Sequence, residues 1–180
     1  MNPQPQLTSA LSRTTIARLI AGDPPLLNEY RDIDAQLQPN GFDVTVRAVS
    51  ASGDVSAPGS IGISDDDRAL PESAELSFDS DGWLHLRPGP YLLTFNEIVN
   101  LPNHIMALAR PRSSLLRSGV AIHTAVWDAG YSGRSQALLT VHHPAGFRIR
   151  RDARVAQLVF FPLDADDVQG YTGRYQGENL

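Results

Sequence analysis

Apolar side chains recur along this chain mostly at every second position, in short runs broken by turn residues, and that rhythm predicts strands rather than helices. The clearest run is Phe42, Val44 and Val46, which share one face of a strand while Asp43, Thr45 and Arg47 share the other. Runs of the same kind cover 83–86, 91–95, 105–109, 120–123, 137–141, 147–149 and 155–161. Helical spacing is found in two places. Ser12 or Thr14 caps a short amphipathic helix through Ile16, Leu19 and Ile20, which Gly22, Pro24 and Pro25 stop. A second short helix covers 113–118, with a serine capping its start and Gly119 closing its end. Between the first strand and the next, residues 50–70 are rich in Ser, Gly and Asp and predict a long loop or a hairpin excursion. The pattern is that of an all-β sandwich, jelly roll or barrel with two small helices.

Composition narrows this picture. A chain of 180 residues with 42% hydrophobic content supports one domain over 1–180, with a loose arm over 1–10 and a mobile flap over 164–180. The absence of cysteine excludes disulfides and thiolate metal sites. The five histidines are not spaced as ligands, since His142 and His143 are adjacent and His85, His104 and His123 lie in separate segments. A formal charge of −5 argues against a nucleic-acid polymer as partner, which needs a broad basic field. No run of about 18 apolar residues and no leader-like start are visible, so a cytoplasmic protein without a membrane partner is expected.

Four clusters carry candidate chemistry. Arg110, Arg112, Ser113, Ser114 and Arg117 combine guanidinium groups with hydroxyls and the free N–H groups of a helix start. They form either a phosphate cradle or a serine-capped basic turn. Trp127, Asp128, Gly130, Tyr131 and Gly133 mark a hairpin in which Asp128 either binds its own loop or performs catalysis. Gln157 interrupts an apolar strand, and its amide is either paired internally or aimed at a ligand. Finally, Tyr171, Arg174, Tyr175 and Gln176 alternate with glycines in the tail, as a lid or a disordered end would.

Taken in order, the stretches QPNGFDVTV, PRSSLLRSGV, WDAGYSGR, RVAQLVFF and GRYQG resemble the dUTPase and dCTP deaminase superfamily, and their wording is closest to archaeal-type dUTPases. The resemblance runs from about Leu11 to the C-terminus. It implies a distorted β-barrel or jelly roll of the β-clip kind and a homotrimer with sites between subunits. It also implies a Mg²⁺ ion carried on the triphosphate and reaching Asp128 through water. On this resemblance Asp128 activates the water, and Tyr131 packs on the deoxyribose. Arg112, Ser113 and Ser114 form the phosphate turn, joined by Arg117 and Gln157, while Arg174, Tyr175 and Gln176 belong to the closing tail. Asp43 is left as structural support, and Glu97 as a turn or subunit-contact residue. Trp127 and His123 are read as packing and strand residues beside the pocket.

The resemblance covers both hydrolases and deaminases. The family's deaminases use a glutamate on the strand after the hairpin as proton shuttle, yet ten residues beyond Asp128 stands Leu138. No acid occurs between Arg134 and Val141. The expected activity is therefore hydrolysis of dUTP to dUMP and pyrophosphate, with Thr124, Ala125 and the hairpin backbone reading the base. The alternatives are a dCTP deaminase or bifunctional enzyme, a hydrolase of other deoxynucleotides, and a non-catalytic trimeric nucleotide-binding module.

Overall fold

The computed structural model describes residues 9–53, 58–164 and 169–180. Most of the expected arm (1–8), part of the excursion (54–57) and the start of the flap (165–168) lie outside the described residues. Among the described residues the chain forms α1 (Arg13–Ile20), β1 (Leu27–Asn28), α2 (Ile33–Gln36), β2 (Leu37–Gln38) and β3 (Gly41–Ser52). A 3₁₀ turn (Asp65–Asp67) precedes β4 (Ser73–Glu75), β5 (Trp83–Leu86), β6 (Gly89–Phe95), β7 (Ile98–Asn100) and β8 (Ile105–Pro111). Then come α3 (Ser113–Arg117), β9 (Val120–His123), β10 (Ser132–Gly133), β11 (Gln136–Val141), β12 (Phe147–Arg150) and β13 (Arg154–Pro162).

Period-two patterning becomes one strongly curved antiparallel sheet in the order β8-β13-β3-β6-β11-β9, with β2 and β4 added to β3. Its two end strands, β8 and β9, come back together across α3, so the sheet nearly closes into a barrel. Register shifts between Val46 and Ala48 on β3 and between Arg154 and Ala156 on β13 supply local bends, as bulges do in curved sheets. Phe42, Val44, Val46, Leu93, Phe95, Leu139, Leu158 and Phe160 are all but sealed from solvent in the barrel core. A three-stranded sheet, β1-β7-β10, and the β5-β12 ribbon accompany it. The fold is the all-β, distorted barrel that the sequence implies.

The helix α1 is as expected: Ser12 caps it by accepting from Thr15 N at 3.4 Å, and Ile16 and Ile20 are its buried face. Two details differ. The N-cap of α3 is Arg112, with no side-chain cap bond, so neither serine caps it. Ser113 and Ser114 instead lie inside the helix with their side chains exposed. The short helix α2 is additional; four residues are too few to show a helical period, and Asp32 alone signals it by accepting from Asp34 N and Ala35 N. No helix of the described residues is long and apolar enough to cross a membrane.

Candidate active site

The polar face of β3 is nearly inaccessible at Asp43 and Thr45 and reaches solvent at Arg47. Asp43 lies opposite Gln157 of β13, which in turn lies opposite Arg110 of β8, so the three residues form one row across three strands. Directly opposed residues in a sheet point to the same face, so this row is a single surface. Asp43 Oδ2 sits 3.2 Å from Arg112 Nε and 3.3 Å from Arg154 NH1. Burial pushes the Asp43 carboxyl up, and the two guanidinium groups offset this only in part. The carboxylate thus fixes the root of the basic turn, while Arg112 N donates to Val155 O at 2.9 Å. Beyond it, Ser113, Ser114 and Arg117 project from α3 into solvent.

Gln157 is half-buried, and among the described residues its side-chain amide is not spent on an internal hydrogen bond. Gly41 makes room for it: a Cβ there would lie 2.6 Å from Gln157 Nε2 and 2.3 Å from Leu158 O. The glycine of QPNGFDVTV is therefore a close-approach residue, needed for β3 to pass β13 at this row.

Trp127 anchors the hairpin that carries Asp128. Its backbone pairs with Ala107 of β8, and its buried indole donates to Ser135 Oγ at 2.5 Å. Asp128 follows with an exposed side chain, and its carbonyl accepts from Tyr131 N at 3.1 Å, which closes the turn. Tyr131 is buried; its hydroxyl lies 3.0 Å from Ser135 Oγ and donates to Glu178 Oε1 at 2.9 Å. Burial raises the Tyr131 hydroxyl above its ordinary pKa, and the neighbouring Glu178 carboxylate adds to the rise. At these values it stays a neutral donor. Glu178 is also shifted upward by burial, against the opposing pull of the Tyr131 hydroxyl.

The tail packs on this hairpin through a set of specific bonds. Tyr171 N donates to Ala129 O at 2.8 Å, Gly177 N donates to Ser132 O at 2.7 Å, and Gln176 Oε1 accepts from Ser132 N at 3.0 Å while its amide donates to Gly130 O at 3.1 Å. Gly130, at φ +80°, permits the approach: a Cβ there would lie 2.6 Å from Gly170 Cα. The ring of Tyr171 meets that of Tyr131 edge-on at 5.9 Å. Buried Arg134 completes the clasp by donating to Asn179 O at 3.0 Å, to Glu29 Oε2 at 2.8 Å and to Asn96 O.

Between hairpin and tail lies a cavity of about 320 Å³, bordered by Asp128, Tyr131, Ala125, Tyr175, Glu178 and Arg68, among others. A larger, more apolar one of about 590 Å³ adjoins it along Leu70, Tyr91, His123, Leu138, Ala125 and Tyr175. Of the residues expected at the site, Asp128, Tyr131, Ala125 and Tyr175 thus come together. Thr124 and Arg174 border neither cavity, and Gln176 is used as a clasp on the hairpin. Gln157 and Arg112 gather elsewhere, about Asp43, with Ser113, Ser114 and Arg117 beyond them on α3, and none of them lines the Asp128 cavity. Arg68, Gln136, Ser135 and Glu178 are additional lining residues that sequence reasoning missed. Among the described residues no three His, Asp or Glu side chains are grouped to hold a metal ion.

The model of the dCTP deaminase-like family matches residues 10–163. A protein of Methanococcoides burtonii described as a probable deoxyuridine 5'-triphosphate nucleotidohydrolase is 43% identical over 94% of this chain and 98% of its own. A Methanosarcina barkeri protein of the same description is 45% identical over 94% of this chain and 97% of its own. Among solved structures, the 2'-deoxycytidine 5'-triphosphate deaminase of Agrobacterium tumefaciens superposes with a TM-score of 0.64 at 24% identity, over 87% of this chain and 49% of that one. That likeness is one of fold.

Proposed function

The chain belongs to the dCTP deaminase-like family, and we propose that within it this protein is a dUTP nucleotidohydrolase producing dUMP and pyrophosphate. The observation that carries the reading is Asp128, an exposed carboxylate held by a tight turn in the wall of a cavity that buried Tyr131 also lines. In this reading Asp128 takes a proton from a water aligned with the α-phosphorus. The new bond forms from the water oxygen to that phosphorus, and the bond to the bridging oxygen of the β-phosphate breaks, so pyrophosphate departs with both electrons. The flat side of Tyr131 carries the deoxyribose, and the phosphates lie on Arg112, Ser113, Ser114 and Gln157. The names of the relatives in Methanococcoides and Methanosarcina support uracil as the base.

A magnesium ion fits this donor set only as a passenger. The cavity offers Asp128 and Glu178 and no cage of three ligands among the described residues, which suits an ion held mainly by phosphate oxygens and water. Bound that way, it neutralises charge on the triphosphate. Asp128 would hold it through water.

Deamination is disfavoured by Leu138, which presents an apolar, part-exposed side chain to the larger cavity where a proton shuttle would have to stand. The test is to supply dUTP and dCTP in turn with Mg²⁺ and to measure pyrophosphate and ammonia. Pyrophosphate from dUTP and no ammonia from dCTP is the expected result. Ammonia from dCTP, or no pyrophosphate from dUTP, overturns the reading.

Because the phosphate turn and Asp128 do not share a cavity in one chain, the proposed site is completed by a second copy, in a homotrimer.

A further inference from the structure

The excursion between β3 and β4 contributes one side chain to the Asp128 cavity. From residue 58 through β4 the described side chains are solvent-exposed, whereas Arg68 is half-buried and borders the cavity beside Asp128 and Tyr131. The excursion holds that residue in place: Ser60 and Ala69 exchange backbone bonds of 2.8 and 2.9 Å, and Asp67 Oδ2 accepts from Ser64 N at 3.2 Å. A stretch that is otherwise all surface thus places one arginine in the cavity wall next to the proposed reacting group.

Among the described residues lining this cavity, Arg68 alone is cationic, while Asp128 and Glu178 are acidic. A polyphosphate brought close enough to Asp128 for water attack meets repulsion from both carboxylates. In the proposed assembly the arginines of the Asp43 row come from a second copy; within the subunit that supplies Asp128 they line no part of this cavity and do not offset that repulsion. A guanidinium in the same wall can, by donating two parallel bonds to the non-bridging oxygens of one phosphate.

We propose that Arg68 is a substrate-binding residue that holds the α-phosphate of the nucleotide beside Asp128. This rests on the hydrolase reading above. In the transition state the α-phosphoryl group gains negative charge on those oxygens, so the same contact also favours turnover.

The experiment compares Arg68→Ala and Arg68→Lys with the wild type. An Arg87→Ala control removes an exposed arginine elsewhere on the surface. Calorimetry is run with dUMP and with a non-hydrolysable α,β-imido analogue of dUTP plus Mg²⁺, and kcat and KM are measured for dUTP. The expected result is that Arg68→Ala weakens both ligands by a similar factor of about tenfold to a hundredfold. Arg68→Lys should recover part of the loss, Arg87→Ala should match the wild type, and melting temperatures should stay within the scatter of the control. Unchanged affinity for both ligands overturns the proposal. So does weakened binding of the analogue with dUMP unaffected, because that assigns Arg68 to the outer phosphates. A wild type that neither binds dUMP nor hydrolyses dUTP defeats the hydrolase reading itself, a result separate from either outcome for Arg68.

Discussion

Glu97 sits at the turn between β6 and β7 with no solvent exposure, and its recorded partners are all donors. Thr45 N at 2.9 Å, Thr45 Oγ1 at 2.7 Å and Gln36 Nε2 at 2.7 Å converge on its two oxygens. Burial pushes its carboxyl above the ordinary value of 4.5, and the donors only partly reverse this. A carboxyl raised on folding gives stability that is full below the unfolded value and is lost as pH rises through the folded one. The advantage of the wild type over Glu97→Gln should therefore be largest in acid and shrink toward neutral pH, as denaturant titrations at a series of pH values would register. A constant gap would mean that Glu97 does not titrate differently in the folded state. At Asp128, substitution by Asn should leave affinity for a non-hydrolysable analogue intact and lower kcat by about 10²- to 10⁴-fold, the usual worth of a positioned base. Equal turnover would remove Asp128 from the mechanism. Both residues are visible in the sequence, but differently. Asp128 lies in a motif whose glycines announce a turn, whereas the burial of Glu97 follows from a helix, α2, too short to announce itself.

The elements that frame the basic turn meet on a single carboxylate. Strand β3 brings Asp43, β13 brings Arg154, the end of β8 brings Arg112, and Arg154 also donates to Ala35 O in α2. Losing the Asp43 charge keeps the strand but frees Arg112, whose side chain is about one third exposed and has solvent to move into. Hydrogen bonds to charged groups contribute about 1.5–3 kcal/mol, so Asp43→Asn should raise KM for dUTP roughly tenfold or more, with a smaller change in kcat. Steady-state kinetics decide this, and an unaltered KM would reduce Asp43 to packing. Strands β3, β5, β6, β8, β9, β11, β12 and β13 are legible as short β-like runs bounded by turn signals, whereas β1, β2, β4, β7 and β10, of two or three residues, are too short to show a period. Two serines before an apolar pair imitate an N-cap for α3, whereas the chain leaves β8 in extended form as far as Arg112 and begins the helix one residue later. The tail shows the other limit of local reading. Its glycines and tyrosines signal a movable segment, but its seat on Ala129–Arg134 depends on Arg134 and Glu178, whose partners lie more than forty positions away.

At the scale of the molecule the barrel separates the two halves of the proposed site. The hairpin of Asp128 is tied to the middle of β8 at Ala107, and the phosphate turn begins only after β8 ends at Pro111. Four residues of strand span about 13 Å, farther than a side chain at one end can reach across to a phosphate held at the other. A cyclic arrangement of copies solves this if the turn of one subunit faces the cavity of the next, since each contact is then repeated around the ring. The part-exposed Leu138 and Leu70 along the larger cavity are apolar surface that such an assembly would cover. Shared sites predict complementation. Asp128→Asn subunits retain an intact turn, Arg112→Ala subunits retain an intact Asp128, and a ring built of either variant alone would be impaired at all of its sites. When the two are unfolded together at equal amounts and refolded, a site is whole only where an Arg112→Ala subunit supplies the hairpin and an Asp128→Asn subunit supplies the turn. Random assembly in a closed ring makes that about one site in four, so activity should recover to about a quarter of wild type, well above either variant alone. If each chain carried its whole site, every mixed assembly would hold only defective sites, and the refolded mixture would stay at the average of its parents.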